Sequence, residues 1–509
     1  MKRIYIDGNS LTLEEVVKVA RENYKIELTK EAVERVNKSR AVVDEFVEEG
    51  KVIYGITTGF GKFSDVLISK NQTKELQKNL IVSDCCGVGN PYSEEIVRAT
   101  MLLRVNALAK GFSGIRLSTL NILIEMLNKG VHPVVPEKGS VGASGDLCPL
   151  AHMVLVMLGD GEAFYQGKRM KGLEAMKQAG IETVELISKE GLALINGTCV
   201  LTAVGALAAY DAKMVMKLAD ISAAMTVEAL NGIVDAYDKR VHEVRPHEGQ
   251  IICAQNMLKL LAGSQSTSRQ GEIRVQDAYT LRCIPQIHGA SRDAINYVIK
   301  KVNIELNSAT DNPLIFADDK VVISGGNFHG QPMALVFDFL GIAVAELANV
   351  SERRVERLVN PALSGLPAFL VKNGGLNDGL MIPQYVAAAL VSENKVLAHP
   401  ACVDSIPTCA NQEDHVSMGS ISARQSREIL NNVMNVLGIE LMTAAQAIEF
   451  GAKEKLGKGT KVAYEKVRAH VEPIENDRVF YTDIHECYKL VASHEIVKAV
   501  EEKIGELID

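Results

Sequence analysis

No stretch of this 509-residue chain reaches about 18 uninterrupted apolar residues, so no membrane-spanning helix is expected. The opening "MKRIYIDGNS" reads as a short strand and turn without the apolar core of a secretory signal. Dense lysine or arginine runs are missing and the net charge is −8, which argues against a nucleic-acid partner. C-x-x-C spacing is also lacking. The nine cysteines are odd in number and mostly set among apolar residues, and Cys85 and Cys86 are adjacent. That pattern fits reduced thiols in a cytoplasm rather than a disulfide framework, zinc or thioredoxin chemistry. "GITTGFGKFS" is no phosphate-binding loop, because Phe63 stands where a hydroxyl would hold magnesium. "GASGD" is not the G-x-S-x-G of a nucleophile elbow. His242 and His247 are not four apart and have no third partner, so no metal site is expected. Internal repeats and low-complexity segments are absent.

What is present is mainly helical. Residues 198–230, 334–359 and 427–450 are rich in Ala, Leu, Met and Val, with apolar positions recurring at three and four. They exceed ordinary helix length and are apolar on more than one face, which predicts long helices buried on several sides. A long-helix bundle follows, and a bundle with exposed apolar flanks completes itself by oligomerising. The first 200 residues differ, with shorter helical runs at 13–22, 30–48 and 92–109 between glycine-rich loops. The expected organisation is a loop-bearing domain over 1–200 and a helical domain over 201–509. The Lys-rich piece 452–462 is a solvated connection before a C-terminal helical segment.

Among the loops, "EKGSVGASGDLCPLAH" (137–152) is short of side chains yet bounded by apolar segments. Small residues on both sides of Ser144 let the backbone bend until the Gly145 nitrogen meets the Ala143 carbonyl. Ring closure with loss of two waters would give an imidazolinone carrying a methylidene from Ser144. This electrophile, 4-methylidene-imidazol-5-one (MIO), would be made from Ala143, Ser144 and Gly145 without metal or nucleotide. A lone Ala-Ser-Gly is usually a flexible turn; its company decides otherwise.

That company is "YGITTGFG" (54–61), "LALINGT" (192–198), "VQDAYTLRCIPQIHGA" (275–290), "NSATDNPL" (307–314), "SGGNFHG" (324–330) and "NQEDHVSMG" (411–419). With "GSVGASGDLCPLAH", these resemble the aromatic amino-acid ammonia-lyase family in order and across almost the whole chain. "NQEDHVSM" and "SGGNFHG" look most like the histidine ammonia-lyase branch, which makes urocanate and ammonia from L-histidine. The resemblance implies a mainly α, fumarase–aspartase-like bundle with an N-terminal MIO-bearing domain. It also implies a homotetramer whose active sites are shared between subunits.

By the same resemblance Tyr54 is the base for the β-proton, and its pKa, near 10 unperturbed, would need lowering by its site. Arg282 fits the substrate carboxylate with its planar fork. Tyr279 and Gln276 precede it at intervals of three, so one helical turn would put all three on one face. The resemblance makes Tyr279 a catalytic residue and Gln276 a substrate-binding one, around the MIO and the carboxylate. Asn196 resembles the amide near MIO and the carboxylate, and Phe328 the aromatic wall. Glu413 is the specificity handle: a carboxylate accepts an imidazole N–H and offers nothing to a phenyl ring. Two positions depart from the family. Asp84 stands where histidine or an apolar residue is usual, and Cys199 where glutamine is frequent. Asp84 with Glu413 would make the pocket anionic, or the two would share a proton. Histidine is therefore the expected substrate, with another cationic or imidazole amino acid as the alternative. A 2,3-aminomutase would use the same residues, whereas an inactive binding paralogue is disfavoured by the intact Ala143-Ser144-Gly145, Tyr54 and Arg282. Elimination of a trimethylammonium group needs no MIO and is disfavoured too.

Overall fold

A computed structural model describes residues 2–69 and 72–509. The chain is mainly helical, and its four longest helices, Cys199–Ala229, Ile284–Glu305, Gln331–Val359 and Gly419–Ile448, span 22 to 31 residues. Three of them answer to the long runs read from the sequence. The helix Ile284–Glu305 has no counterpart among those runs. The shorter helices Leu13–Arg21, Lys30–Glu48 and Glu94–Ala109 lie where their periodicity predicts them. Leu13–Arg21 opens with a reciprocal cap, Thr12 accepting from the Glu15 N–H while Glu15 reaches back to the Thr12 N–H.

Two compact units make up the chain. The first comprises residues 1–210, 299–338 and 400–424; the second 211–298, 339–399 and 425–509. The expected division at residue 200 sits close to the first boundary, but two later stretches also join the first unit. Long helices that end at Glu305 or begin at Gln331 and Gly419 return the intervening loops there. Those loops include "NSATDNPL", "SGGNFHG" and "NQEDHVSMG".

Strands are short. In the first unit Arg3–Ile6 pairs in parallel with Lys25–Leu28, and Leu314–Phe316 forms a hairpin with Val321–Ile323. Beneath that hairpin Val42, Val43, Phe46, Ile56 and Ile315 form a small apolar core, which anchors the loop after Tyr54. In the second unit a buried polar network replaces part of the apolar core. Asp220 bonds Arg292 (2.6 Å) and His288 (2.9 Å), while the Arg354 guanidinium grips Glu440. Asp220, Cys253 and His288 bring ligand atoms within 4.8 Å of one another. Their carboxylate and imidazole are already engaged by Arg292 and Arg354, which suits an ion-pair network and not a cation site.

Cys199–Ala229 and Gln331–Val359 are long and apolar enough to cross a bilayer by length and composition. Most of each apolar stretch is nonetheless buried within the protein. The first also carries Lys217 and Asp220, charges held by Glu501 and Arg292. Both read as core helices.

Candidate active site

The loop around Ser144 is held by backbone and side-chain hydrogen bonds from segments distant in sequence. Gly142 has φ +65°, and a side chain there would collide with the Ser417 hydroxyl, which donates to the Gly142 carbonyl (2.9 Å). The Met418 N–H donates to the Val141 carbonyl (2.8 Å). Gly145 has φ +75°, and a Cβ on it would stand 2.2 Å from the Gly197 oxygen. Only glycine permits that approach. The next residue, Asp146, donates its N–H to the same oxygen (2.8 Å). Its buried carboxylate accepts the Val200 and Leu201 N–H groups (2.7 and 3.0 Å) in the first turn of Cys199–Ala229. Burial pushes the Asp146 carboxyl up to about 7 against the pull of those N–H bonds.

Ser144 is gripped at both of its oxygens. The Asn196 side-chain amide donates to its carbonyl (2.9 Å), and its hydroxyl donates to Glu413 Oε1 (2.5 Å). Glu413 comes from a strained segment: Cys409, Ala410 and Asn411 all have φ between +52° and +65°. Non-glycine residues rarely enter that region, and such strain gathers at functional sites. The Thr408 hydroxyl takes the other Glu413 oxygen, at 2.5 Å.

Tyr54 faces the same space. The Gly61 N–H donates to its hydroxyl (3.2 Å), and a side chain on Gly61 would strike Cys409 Sγ, so the two loops touch. Burial raises the Tyr54 pKa, and the charges of Cys409, Glu413 and Asp311 add to the rise. The lowering expected from the sequence is therefore reversed within this chain, because burial and the neighbouring acidic groups outweigh the Gly61 N–H bond.

These groups open on a cavity of about 580 Å³ lined by Tyr54, Ala143, Ser144, Asn196, Phe328 and Glu413, with Gly145 in the loop that carries Ser144. Six site residues chosen from the sequence thus converge. Asp65 and Asp414 add carboxylates to the lining, and among the described residues no lysine or arginine does. Asn312, Ser324, His329 and His415 also line it. All four sit in or beside motifs already noticed, but nothing in those motifs singled them out. Asp65 had no signal at all. Asp84 ends the helix Thr73–Asp84 and is not part of the lining, yet Glu413's charge reaches it. Burial first, and Glu413 second, push its carboxyl up to about 6 against a hydrogen bond from Ser83.

Gln276, Tyr279 and Arg282 do not join this cavity. Tyr279 and Arg282 bracket a one-turn helix, with the guanidinium 4.7 Å from the ring centroid, and Gln276 precedes it. The three do not share a helix face as expected. Gln276 and Arg282 line a separate cavity of about 330 Å³ in the second unit, where Arg282 Nε is buried without a partner. Tyr279 is 68% exposed.

The family model described as "Aromatic amino acid lyase" matches residues 11–469. Histidine ammonia-lyase of Alkaliphilus oremlandii (strain OhILAs) is 68% identical over 504 residues, covering 99% of each chain. The crystal structure of histidine ammonia-lyase from Trypanosoma cruzi aligns with a TM-score of 0.92 at 45% identity, over 98% of this chain and 95% of that one. Tyrosine aminomutase from Streptomyces globisporus aligns with a TM-score of 0.96 at 38% identity, over 100% and 99%.

Proposed function

The chain belongs to the aromatic amino acid lyase family, and from that premise we propose that it is a histidine ammonia-lyase, releasing ammonia from L-histidine to give trans-urocanate. The observation that carries the choice of substrate is Glu413, a carboxylate on Ser144 in a cavity that no lysine or arginine among the described residues lines. It accepts an imidazole N–H or pairs with imidazolium, and it would only cost desolvation against a phenyl ring. The strong likeness to a relative named for histidine supports the same choice.

The residues at 142–146 fit an MIO formed from Ala143, Ser144 and Gly145. Gly145 admits no side chain, Asn196 already meets the Ser144 carbonyl oxygen, and Asn196 Oδ1 is buried with no partner. The ring supplies an electrophilic carbon that makes the substrate amine a competent leaving group. The chain's own groups do the remainder. Glu413 orients the imidazole, Phe328 walls the ring, and Tyr54 takes the β-proton. Asn196 Oδ1 is a waiting acceptor for a substrate N–H.

A carboxylate-binding cation is still required, and Arg282 has the right fork with an unsatisfied Nε. We place it in the site by assembly. In a homotetramer, Arg282 of the partner subunit completes the cavity and, as a nearby cation, draws the Tyr54 pKa down. Exposed apolar groups on the helix Met381–Leu397, among them Ile382, Tyr385 and Val396, supply surface for such association. Nine unpaired cysteines suit a cytoplasmic setting.

The test is purified protein with L-histidine, following near-ultraviolet absorbance of urocanate and released ammonia, beside an intact mass. Equal urocanate and ammonia from protein lighter by two waters is the expected result. A β-amino acid in place of free ammonia would make it an aminomutase. Silence with histidine from ring-bearing protein would hand the substrate to the Asp84–Glu413 pair and to other cationic amino acids.

A further inference from the structure

Arg104, on the helix Glu94–Ala109, is fully buried. Its Nη1 donates to the backbone carbonyl of Asn196 (2.7 Å) and lies 3.8 Å from Cys199 Sγ, a weak acceptor. Nε and Nη2 are buried without any partner, and so is the neighbouring Thr310 hydroxyl. The backbone is pressed directly on the guanidinium. A Cβ on Gly197 would come 2.7 Å from Nη1 and 2.6 Å from the Thr310 oxygen.

No carboxylate among the described residues forms an ion pair with this cation. Asp146 and Glu305 are close enough for their charges, like that of Arg104, to be felt at Cys199. Burial raises both carboxyls toward their neutral forms. Lys189 spends its charge on Asp311 (2.6 Å). A buried, unneutralised guanidinium is costly and leaves two donors unused, so its presence asks for a function. Its one strong bond ends on Asn196, whose side chain in turn donates to the Ser144 carbonyl oxygen.

We propose that Arg104 is a positioning residue: it locks Asn196 against the Ser144 carbonyl and supplies a positive field that favours electron density on that oxygen. Preorganised donors and charges of this kind act most strongly where water is excluded. Cys199 Sγ, a weak acceptor at 3.8 Å, leaves the guanidinium charge unneutralised. The inference rests on reading residues 143–145 as the precursor of MIO.

The experiment compares R104Q and R104K with the native protein by intact mass, by near-ultraviolet absorption of the ring and by kinetics on histidine. In R104Q the ring still forms, its absorption moves to shorter wavelength because its carbonyl is less polarised, and kcat falls about 10- to 100-fold while KM changes less than about threefold. R104K, which keeps the charge, recovers most of the band position. C199D leaves Arg104 in place but pairs its charge, and shifts the band the same way; it decides the matter if R104Q does not fold. Native absorption and native kcat in either R104Q or C199D would overturn the proposal. Native protein whose mass lacks the two-water loss would overturn the ring reading itself, which the mass separates from failure of Arg104's role.

Discussion

Asp84 shows how one residue can be conspicuous in sequence and still stand outside the cavity lining of its own chain. The family pattern puts it in the pocket wall; in this chain it ends the helix Thr73–Asp84 and feels Glu413 through its charge. Unfolded, it loses its proton near 3.9, and folded near 6. Between those values the folded chain holds a proton that the unfolded chain has released, so stability falls as pH rises through that window and stays lower above it. Asp84→Asn removes the penalty. It should stabilise the protein at pH 8 by on the order of 1 kcal/mol, allowing for partial solvent exposure, and should give no gain at pH 4. Denaturant melts at the two pH values check this; an equal gain at both would dismiss the buried charge as its source. Glu413, Asn196 and Phe328 were legible because motif and chemistry agreed. The raised pKa of Tyr54 was not, because it depends on which charges surround the phenol, and those come from segments hundreds of residues away.

At the scale of elements, the long helices were readable because a run that is apolar on all faces has few ways to hide except inside a bundle. Ile284–Glu305 escaped notice because its first turns, "IPQIHGA", contain Pro285 and Gly289 and read as motif rather than period. The loop 400–418 was unreadable as structure, since nothing in Cys409 or Ala410 announces a left-handed backbone. The joint between the Ser144 loop and the helix Cys199–Ala229 rests on Asp146, which ties two N–H groups of the first turn. Asp146→Ala leaves both donors buried and unpaired and should cost about 3 kcal/mol in denaturant melts. Asp146→Asn retains an acceptor and should cost less than half of that. Equal losses would show that the carboxylate's charge, and not its hydrogen bonds, holds the joint.

For the whole molecule, the decisive fact is that Arg282 and Tyr54 line different cavities of one chain. Sequence order could not reveal this, because motif spacing does not say which motifs converge within one chain. A shared site makes a sharp prediction. Tyr54→Phe and Arg282→Gln should each lose at least ~100-fold in kcat/KM. Co-expressed in equal amounts, they should recover about a quarter of native activity, as random assembly leaves that share of sites with both residues intact. No recovery in isolated mixed oligomers would show that each chain builds its site alone. The Ser144 loop carries another consequence. Its contacts reach Asn196 and Gly197, then Glu413, Ser417 and Met418, so its geometry depends on partners separated by some of the longest stretches of the chain. Contacts so distant in sequence are made late, after synthesis has passed residue 418. A chain truncated before that point, or stalled on the ribosome, carries only an ordinary serine turn. The reactivity proposed for residues 143–145 is thereby withheld from every unfinished copy, and a cell making this protein is exposed to no stray electrophile from its fragments.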